Sequence, residues 1–341
     1  MQITKIDFRS DTLTKPTPGM LEAMAVADIG DDVFGEDPSI NQLESMVAQM
    51  FNMQAAMFCP SGTMTNQIAI KCHTQPGDEV ICDENSHVYQ YEGGGISFHS
   101  AASVKLLPGD RGRISAEMVR QNIRGDDVHY PRSSLVCLEN TANRGGGSCY
   151  SFDEIHRIQQ VCQQHQLALH LDGARLWNAL VVHPETAADY GRVFDSISVC
   201  LSKGLGCPVG SLLLGNNELI RQARRYRKLF GGGMRQAGSL AAAGIYALQH
   251  HIERLQVDHR HAQQLGEALG QRSIVRQLLP VETNIVVFEL QPQRTATDVV
   301  DWLATQGVLA LAVSPHRIRL VTHLDISDAM MEQALQVVAR M

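Results

Sequence analysis

Between Ala55 and Leu214 the chain repeats one pattern: a short apolar run, then a segment with helical spacing. The runs are Ala55–Phe58, Val80–Cys82, Val104–Leu107, Leu135–Leu138, Leu167–Leu171, Ser196–Leu201 and Ser211–Leu214. They are too short for helices and nearly continuous in apolar residues, as strands covered on both faces are. The intervening segments are amphipathic. Phe152 to Gln164, for example, brings Ile155, Ile158, Val161 and Cys162 to one face. Such alternation predicts a wound α/β domain on a mostly parallel sheet. Ligands of such sheets bind beyond the C-terminal strand ends.

Two of those strand ends carry unusual chemistry. One run closes in Leu169-His170-Leu171-Asp172-Gly173-Ala174-Arg175, and the next in Leu201-Ser202-Lys203-Gly204-Leu205-Gly206. Singly, each would read as a solvated charge at a strand end. Together they fit a pyridoxal phosphate (PLP) site. Lys203 supplies the amine that condenses with the cofactor aldehyde, and Asp172 keeps the pyridine nitrogen protonated. A third strand end leads into Ser61-Gly62-Thr63 and a helix running through Gln67 and Ile70. Free N–H groups beside a glycine and two hydroxyls suit a phosphate. The alternative is an ordinary Ser or Thr cap.

Further motifs are Asp7-Phe8-Arg9-Ser10-Asp11-Thr12, Gly30-Asp31-Asp32-Val33-Phe34-Gly35-Glu36-Asp37-Pro38, Asp83-Glu84-Asn85-Ser86-His87 and Glu139-Asn140-Thr141. Gly231-Gly232-Gly233-Met234-Arg235-Gln236 and Arg319-Leu320-Val321-Thr322-His323 follow. With these the chain resembles, over essentially its whole length, the low-specificity L-threonine aldolases, PLP enzymes of fold type I. The resemblance implies retro-aldol cleavage of L-threonine and L-allo-threonine to glycine and acetaldehyde. It places His87 on the cofactor ring and His129 near the substrate hydroxyl. Either histidine, or a water, could take the hydroxyl proton. The same resemblance points to Arg175 and Arg319, assisted by Ser10, as anchors for the substrate carboxylate. Lys228 and Arg235 would reach a cofactor phosphate from a neighbouring subunit, in a homodimer or a dimer of dimers (a homotetramer). Phe34 stands where relatives often carry Tyr, and Ala142 where several carry His. Phe34 reads as a packing residue. Rival readings are β-elimination, serine hydroxymethyl transfer, or a PLP-fold protein without catalysis.

At 341 residues the chain can bury a large core. Beyond the wound domain, a long helix is expected from Ser239 to Arg272. Strands Asn284–Leu290 and Arg317–Val321, with a helix from Ala296 to Gln306 between them, form a small C-terminal α/β domain. The expected division is an N-terminal arm (1–14), a large PLP-binding domain (15–247) and a small domain (248–341). A net charge of −7 argues against a nucleic-acid partner. The basic run Arg221, Arg224, Arg225, Arg227 and Lys228 spreads around a helix, as a solvated or interface face does. No apolar stretch is long enough for a membrane span, and Met1 to Ser10 has no apolar leader core, so a cytoplasmic enzyme is expected. The eight cysteines include no CxxC pair. Buried free thiols are expected, and no metal site.

Overall fold

The computed structural model describes residues 5–341. The chain forms strands β1 (Ile6–Asp7), β2 (Ala55–Cys59), β3 (Glu79–Asp83), β4 (Ser103–Leu107), β5 (Ser133–Glu139), β6 (Ala168–Gly173), β7 (Ser196–Cys200) and β8 (Ser211–Gly215). They continue with β9 (Val275–Leu278), β10 (Ile285–Leu290), β11 (Val308–Leu309), β12 (Leu311–Ser314) and β13 (Arg317–Val321). Seven of these make one sheet in the order β2-β8-β7-β6-β5-β3-β4. From β7 to β4 every pairing is parallel. Only β8 runs against its neighbours. The expected mostly parallel sheet is therefore present, and each apolar run noted above supplies one of its strands. Residues of β3, β5, β7 and β8 are buried throughout, which is why they read as unbroken apolar runs.

Because β8 reverses, β2 and β7 point the same way and end on the same edge. Ser61 follows β2, Lys203 follows β7, Asp172 lies near the end of β6 and Glu139 ends β5. That edge collects the polar residues whose side chains matter below.

A second sheet, β12-β13-β10-β9, is antiparallel and has its own apolar core, including Phe288, Ile318, Leu265 and Leu303. The arm joins it directly. β1 pairs with β11, and the Val321 N–H donates to the Phe8 carbonyl at 2.8 Å.

The expected single helix from Ser239 to Arg272 is two helices, Gly238–His250 and Leu255–Gly270. Apolar spacing carries across the break, so periodicity did not reveal it. Tertiary hydrogen bonds hold the turn instead. His251 Nδ1 donates to the Leu205 carbonyl at 2.7 Å, and Arg254 binds Asp258 and the Leu324 carbonyl. The turn thus braces the loop that carries Lys203.

The arm crosses beneath the same loop. Thr14 Oγ1 donates to the Lys203 carbonyl at 2.8 Å. Asp11, fully buried, accepts from Arg175 Nε at 2.7 Å and Nη2 at 2.6 Å. This is a two-pronged ion pair between groups that are both out of water. Burial alone would raise the Asp11 pKa. The Arg175 charge and hydrogen bonds outweigh it and hold it at about 2.

Because the folded pKa lies below the unfolded one, this carboxylate stabilises the fold above pH 3.8, and that contribution is lost as pH falls through 2. Asp11→Ala leaves a buried guanidinium uncompensated and is expected to cost about 3–5 kcal/mol, read by urea denaturation. Asp11→Asn should flatten the acid limb of the stability profile between pH 4 and 2. An unchanged limb would show that the pair contributes no pH-dependent stability.

Candidate active site

The site assembles along the strand edge, from residues the chain delivers at strand ends and helix starts. Its lysine end comes first. Lys203 is half-buried, and its Nζ donates to Cys200 Sγ at 3.1 Å. The loop bearing it is tied at both ends: Cys200 pairs with Ser211, and the Leu201 N–H donates to the Gly210 carbonyl.

Ser61 caps the helix Gly62–His73, its Oγ accepting from the Met64 N–H at 3.2 Å. The ordinary capping role is therefore real. It still leaves the hydroxyl proton free to donate. Among the described residues no protein acceptor takes the N–H of Gly62 or Thr63. A Cβ on Gly62 would sit 2.7 Å from Cys200 Sγ, so only glycine lets this helix start approach the Lys203 loop.

Asp172 is 3% exposed and accepts only from Asn66 Nδ2 at 3.0 Å and the Ala174 N–H at 3.1 Å. Among the described residues no guanidinium or ammonium pairs with it. Two further buried carboxylates, Glu92 and Glu139, stand close by. His87, Glu92 and Asp172 bring side-chain atoms within 4.8 Å of one another. His87 Nδ1 bonds Glu92 at 2.9 Å, and the His87 backbone N–H donates to Glu139 at 2.8 Å. Burial lowers the His87 pKa, but Glu92, Asp172 and Glu139 outweigh it and raise it above its ordinary value. Burial raises Glu139, and Asp172 raises it further, to about 7. This end of the site has a surplus of negative charge.

The opposite end has a surplus of positive charge. Arg319 of β13 donates to Asn143 Oδ1 at 2.6 Å and to the Arg9 carbonyl at 3.1 Å. Its Nε is buried without a partner. Burial, Arg175 and Arg144 lower its pKa to about 10. It lines a cleft of about 280 Å³ with Asn143, Arg144 and Asn85. Glu139 joins the two ends, because its other oxygen accepts from the Asn143 N–H at 2.8 Å.

These observations test the cofactor reading on its own terms. A buried, unneutralised Asp172 suits a pyridinium. A lysine with no carboxylate partner suits an aldehyde. A helix start with free N–H groups suits a phosphate. The residues present fit PLP.

Not every candidate falls here. Ser10 caps a short turn, accepting from the Thr12 N–H at 3.2 Å, next to the Asp11 pair. Arg175 is near the lysine, but Asp11 occupies its Nε and Nη2, so it is first a structural partner. His129 makes no hydrogen bond to these residues. Its side chain is 82% exposed and pairs with Asp127 at 2.7 Å. Arg235 binds Asp31 at 3.0 Å, and Lys228 lines a separate pocket with Asp32, Phe34 and Arg227. Phe34 is 73% exposed, so within this chain it is not a packing residue. Arg227 departs from the expected solvated face: it is buried, 2.8 Å from Asp32, and donates to the Phe58 carbonyl. All eight cysteines are free, and only Cys72 is not fully buried.

Asp11, Asn66, Glu92, Glu139 and Cys200 were not anticipated as site residues. Asp11 and Glu139 stand inside motifs quoted above. Asn66 and Glu92 carry no local signal, since their roles exist only through distant partners.

Comparison with known proteins is consistent with this geometry. Residues 7–292 match the β-eliminating lyase family. The chain is 40% identical over 337 residues to the low specificity L-threonine aldolase of Escherichia coli K12, covering 98% of this chain and 97% of that one. It is 39% identical over 340 residues to the probable low-specificity L-threonine aldolase 2 of Arabidopsis thaliana, covering 98% and 96%. Its fold matches that of the Leishmania major threonine aldolase, with a TM-score of 0.86, 22% identity and 98% of both chains covered. A Sphingomonas wittichii serine palmitoyltransferase shares the fold at a TM-score of 0.79 and 16% identity, covering 98% of this chain and 86% of that one.

Gly62→Ala should push the helix start away from Cys200 and weaken cofactor affinity at least tenfold, measured by fluorescence titration of the apoenzyme. Cys200→Ala in the same chain should recover part of the loss. No recovery would place the clash elsewhere.

Proposed function

Since the chain belongs to the β-eliminating lyase family and, within it, to the low-specificity L-threonine aldolases, we propose that it cleaves L-threonine and L-allo-threonine to glycine and acetaldehyde. The observation that carries this reading is the single strand edge bearing Lys203, Asp172 and His87, with the unsatisfied Arg319 Nε at its far end. PLP, when bound, supplies the carbonyl that captures the substrate amine and the electron sink that makes Cα–Cβ cleavage feasible.

The protein's part is orientation, charge and proton movement. Arg319 takes the substrate carboxylate in charge-assisted hydrogen bonds, fixing which bond of Cα lies across the ring. Arg175, paired with Asp11, holds the arm that carries Ser10 at the same end. His87 Nε2 accepts the β-hydroxyl proton. As that proton leaves, the hydroxyl oxygen becomes the aldehyde carbonyl and the Cα–Cβ pair moves onto Cα. A proton returned to Cα completes glycine. Asp172 would hold the cofactor's ring nitrogen protonated, Lys203 would supply the amine for its aldehyde, and Ser61, Gly62 and Thr63 would receive its phosphate. These side-chain roles are our assignment, supported by the charge asymmetry of the site.

His129 is exposed and bonds Asp127, so a role near the substrate hydroxyl would need its loop to approach a site from another copy of the chain. Lys228 and Arg235 belong to a surface with the exposed Phe34 and Leu229, which suits contact between copies of this chain. A homo-oligomer with shared sites, at work in the cytoplasm, is part of the same proposal. No helix among the described residues is long and apolar enough to cross a membrane.

Glycine and acetaldehyde release from the four threonine stereoisomers tests the reading. The two L-isomers should be cleaved and D-threonine should be inert. Pyruvate from L-serine as the main product would identify a β-eliminating enzyme instead. Arg319→Ala should raise KM for threonine tenfold or more, matching the loss of roughly 1.5–3 kcal/mol of charge-assisted bonding. Cofactor content should hold. Loss of PLP with normal threonine binding would reassign Arg319.

A further inference from the structure

Glu92 lies just past the helix His87–Gln90, and the scheme above does not use it. Its side chain is fully withdrawn from solvent. Three donors converge on it: His87 Nδ1 at 2.9 Å, Asn66 Nδ2 at 2.9 Å and Gln67 Nε2 at 2.6 Å. An ionised carboxylate only accepts, so this set is consistent when His87 carries a proton on Nδ1.

We propose that Glu92 is a positioning residue that holds His87 in its Nδ1–H form, leaving Nε2 as the lone pair that receives the substrate hydroxyl proton. A histidine acts as a base through one nitrogen only when the other is committed, and a buried carboxylate is the strongest common means of committing it.

The orientation of Asn66 supports the charge on Glu92 independently. Its amide must present hydrogens to the carboxylate, not its oxygen. A chain of donors behind it fixes that orientation. Burial lowers His170 to about 3 and His73 to about 4, so both rings are neutral. His73 Nε2 and Ser196 Oγ are 2.8 Å apart, as are Ser196 Oγ and His170 Nδ1, and His170 Nε2 lies 3.1 Å from Asn66 Oδ1. Read in sequence, His73 donates to Ser196, Ser196 to His170 and His170 to the Asn66 oxygen. The Asn66 NH₂ is left facing Glu92 and Asp172 together. One amide therefore serves both the carboxylate behind the base and the carboxylate that faces the cofactor ring.

The groups facing His87 are Glu92 from its own turn, Asp172 from β6, Glu139 from β5 and the Tyr91 ring at 5.7 Å. The three carboxylates all favour the charged imidazole. Removing the one that bonds Nδ1 should lower the basicity of the ring and release its tautomer.

The inference rests on the aldolase reading, and its test separates the two. Nitrogen-15 NMR of histidine-labelled wild-type holoenzyme should show His87 protonated on Nδ1. A proton on Nε2 in the neutral ring overturns the proposal outright, whatever the activity. If the wild type releases no glycine from threonine, the aldolase reading fails while the tautomer measurement stands. In Glu92→Gln, with cofactor content and circular dichroism unchanged, the acid limb of the kcat/KM profile should move down by about one pH unit. kcat should fall about tenfold while KM changes little. In a His87→Phe background the same substitution should add less than a twofold loss, because the effect proposed for Glu92 on proton transfer runs through His87. Multiplying losses, or an acid limb that stays in place, would overturn it.

Discussion

The Asp11–Arg175 ion pair is the interaction on which the site depends. It ties the N-terminal arm to Arg175, just past β6. Once there, the arm offers the Arg9 carbonyl to Arg319 and Thr14 to the Lys203 backbone. The arm also adds β1 to β11 beside the second sheet. The arm is thus one of the links between the two sheets, beside the bonds of Glu282 to Arg111 and the Cys149 N–H and of Thr283 to the Gly147 carbonyl. The ion pair's cost in desolvation is offset by two-pronged geometry and by the remaining positive charge of the lysine loop.

The site is electrically divided. Glu92, Asp172 and Glu139 crowd one end; Arg175, Arg319 and Arg144 crowd the other. Among the described residues no guanidinium or ammonium pairs with Asp172 at the first end, and at the second Arg175 is paired with Asp11 while Arg319 has no carboxylate partner. A zwitterionic substrate joined to a cofactor with a cationic ring and an anionic phosphate would complete both. Glu139 matters here for mechanical reasons as well, since one carboxylate staples the start of the His87 helix to the Asn143 loop and so to Arg319.

The parts of this arrangement that were legible in the sequence are those set locally. Strands buried on both faces leave unbroken apolar runs, so β5 and β7 and the residues at their ends could be placed. Ser61 was legible because capping is a local event. What was not legible depends on partners far away in the chain. Asn66 and Glu92 acquire meaning only when the helix Gly62–His73 meets the turn after His87. The occupied Arg175 follows from an aspartate in the arm. The break at His251 follows from a carbonyl at Leu205. His129 carried a motif match, but its loop turns the ring to solvent and to Asp127.

The lysine sits on a hairpin between β7 and the reversed β8, not on a crossover to another strand. Both ends of its loop are stitched to one another, and its own carbonyl is held by Thr14. In the role proposed for it, Lys203 would release the aldehyde and recapture it in every cycle, a search governed by the volume its backbone can explore. Here that volume is small. Recapture on that reading is intramolecular, at the high local concentration that a short loop held at both ends maintains.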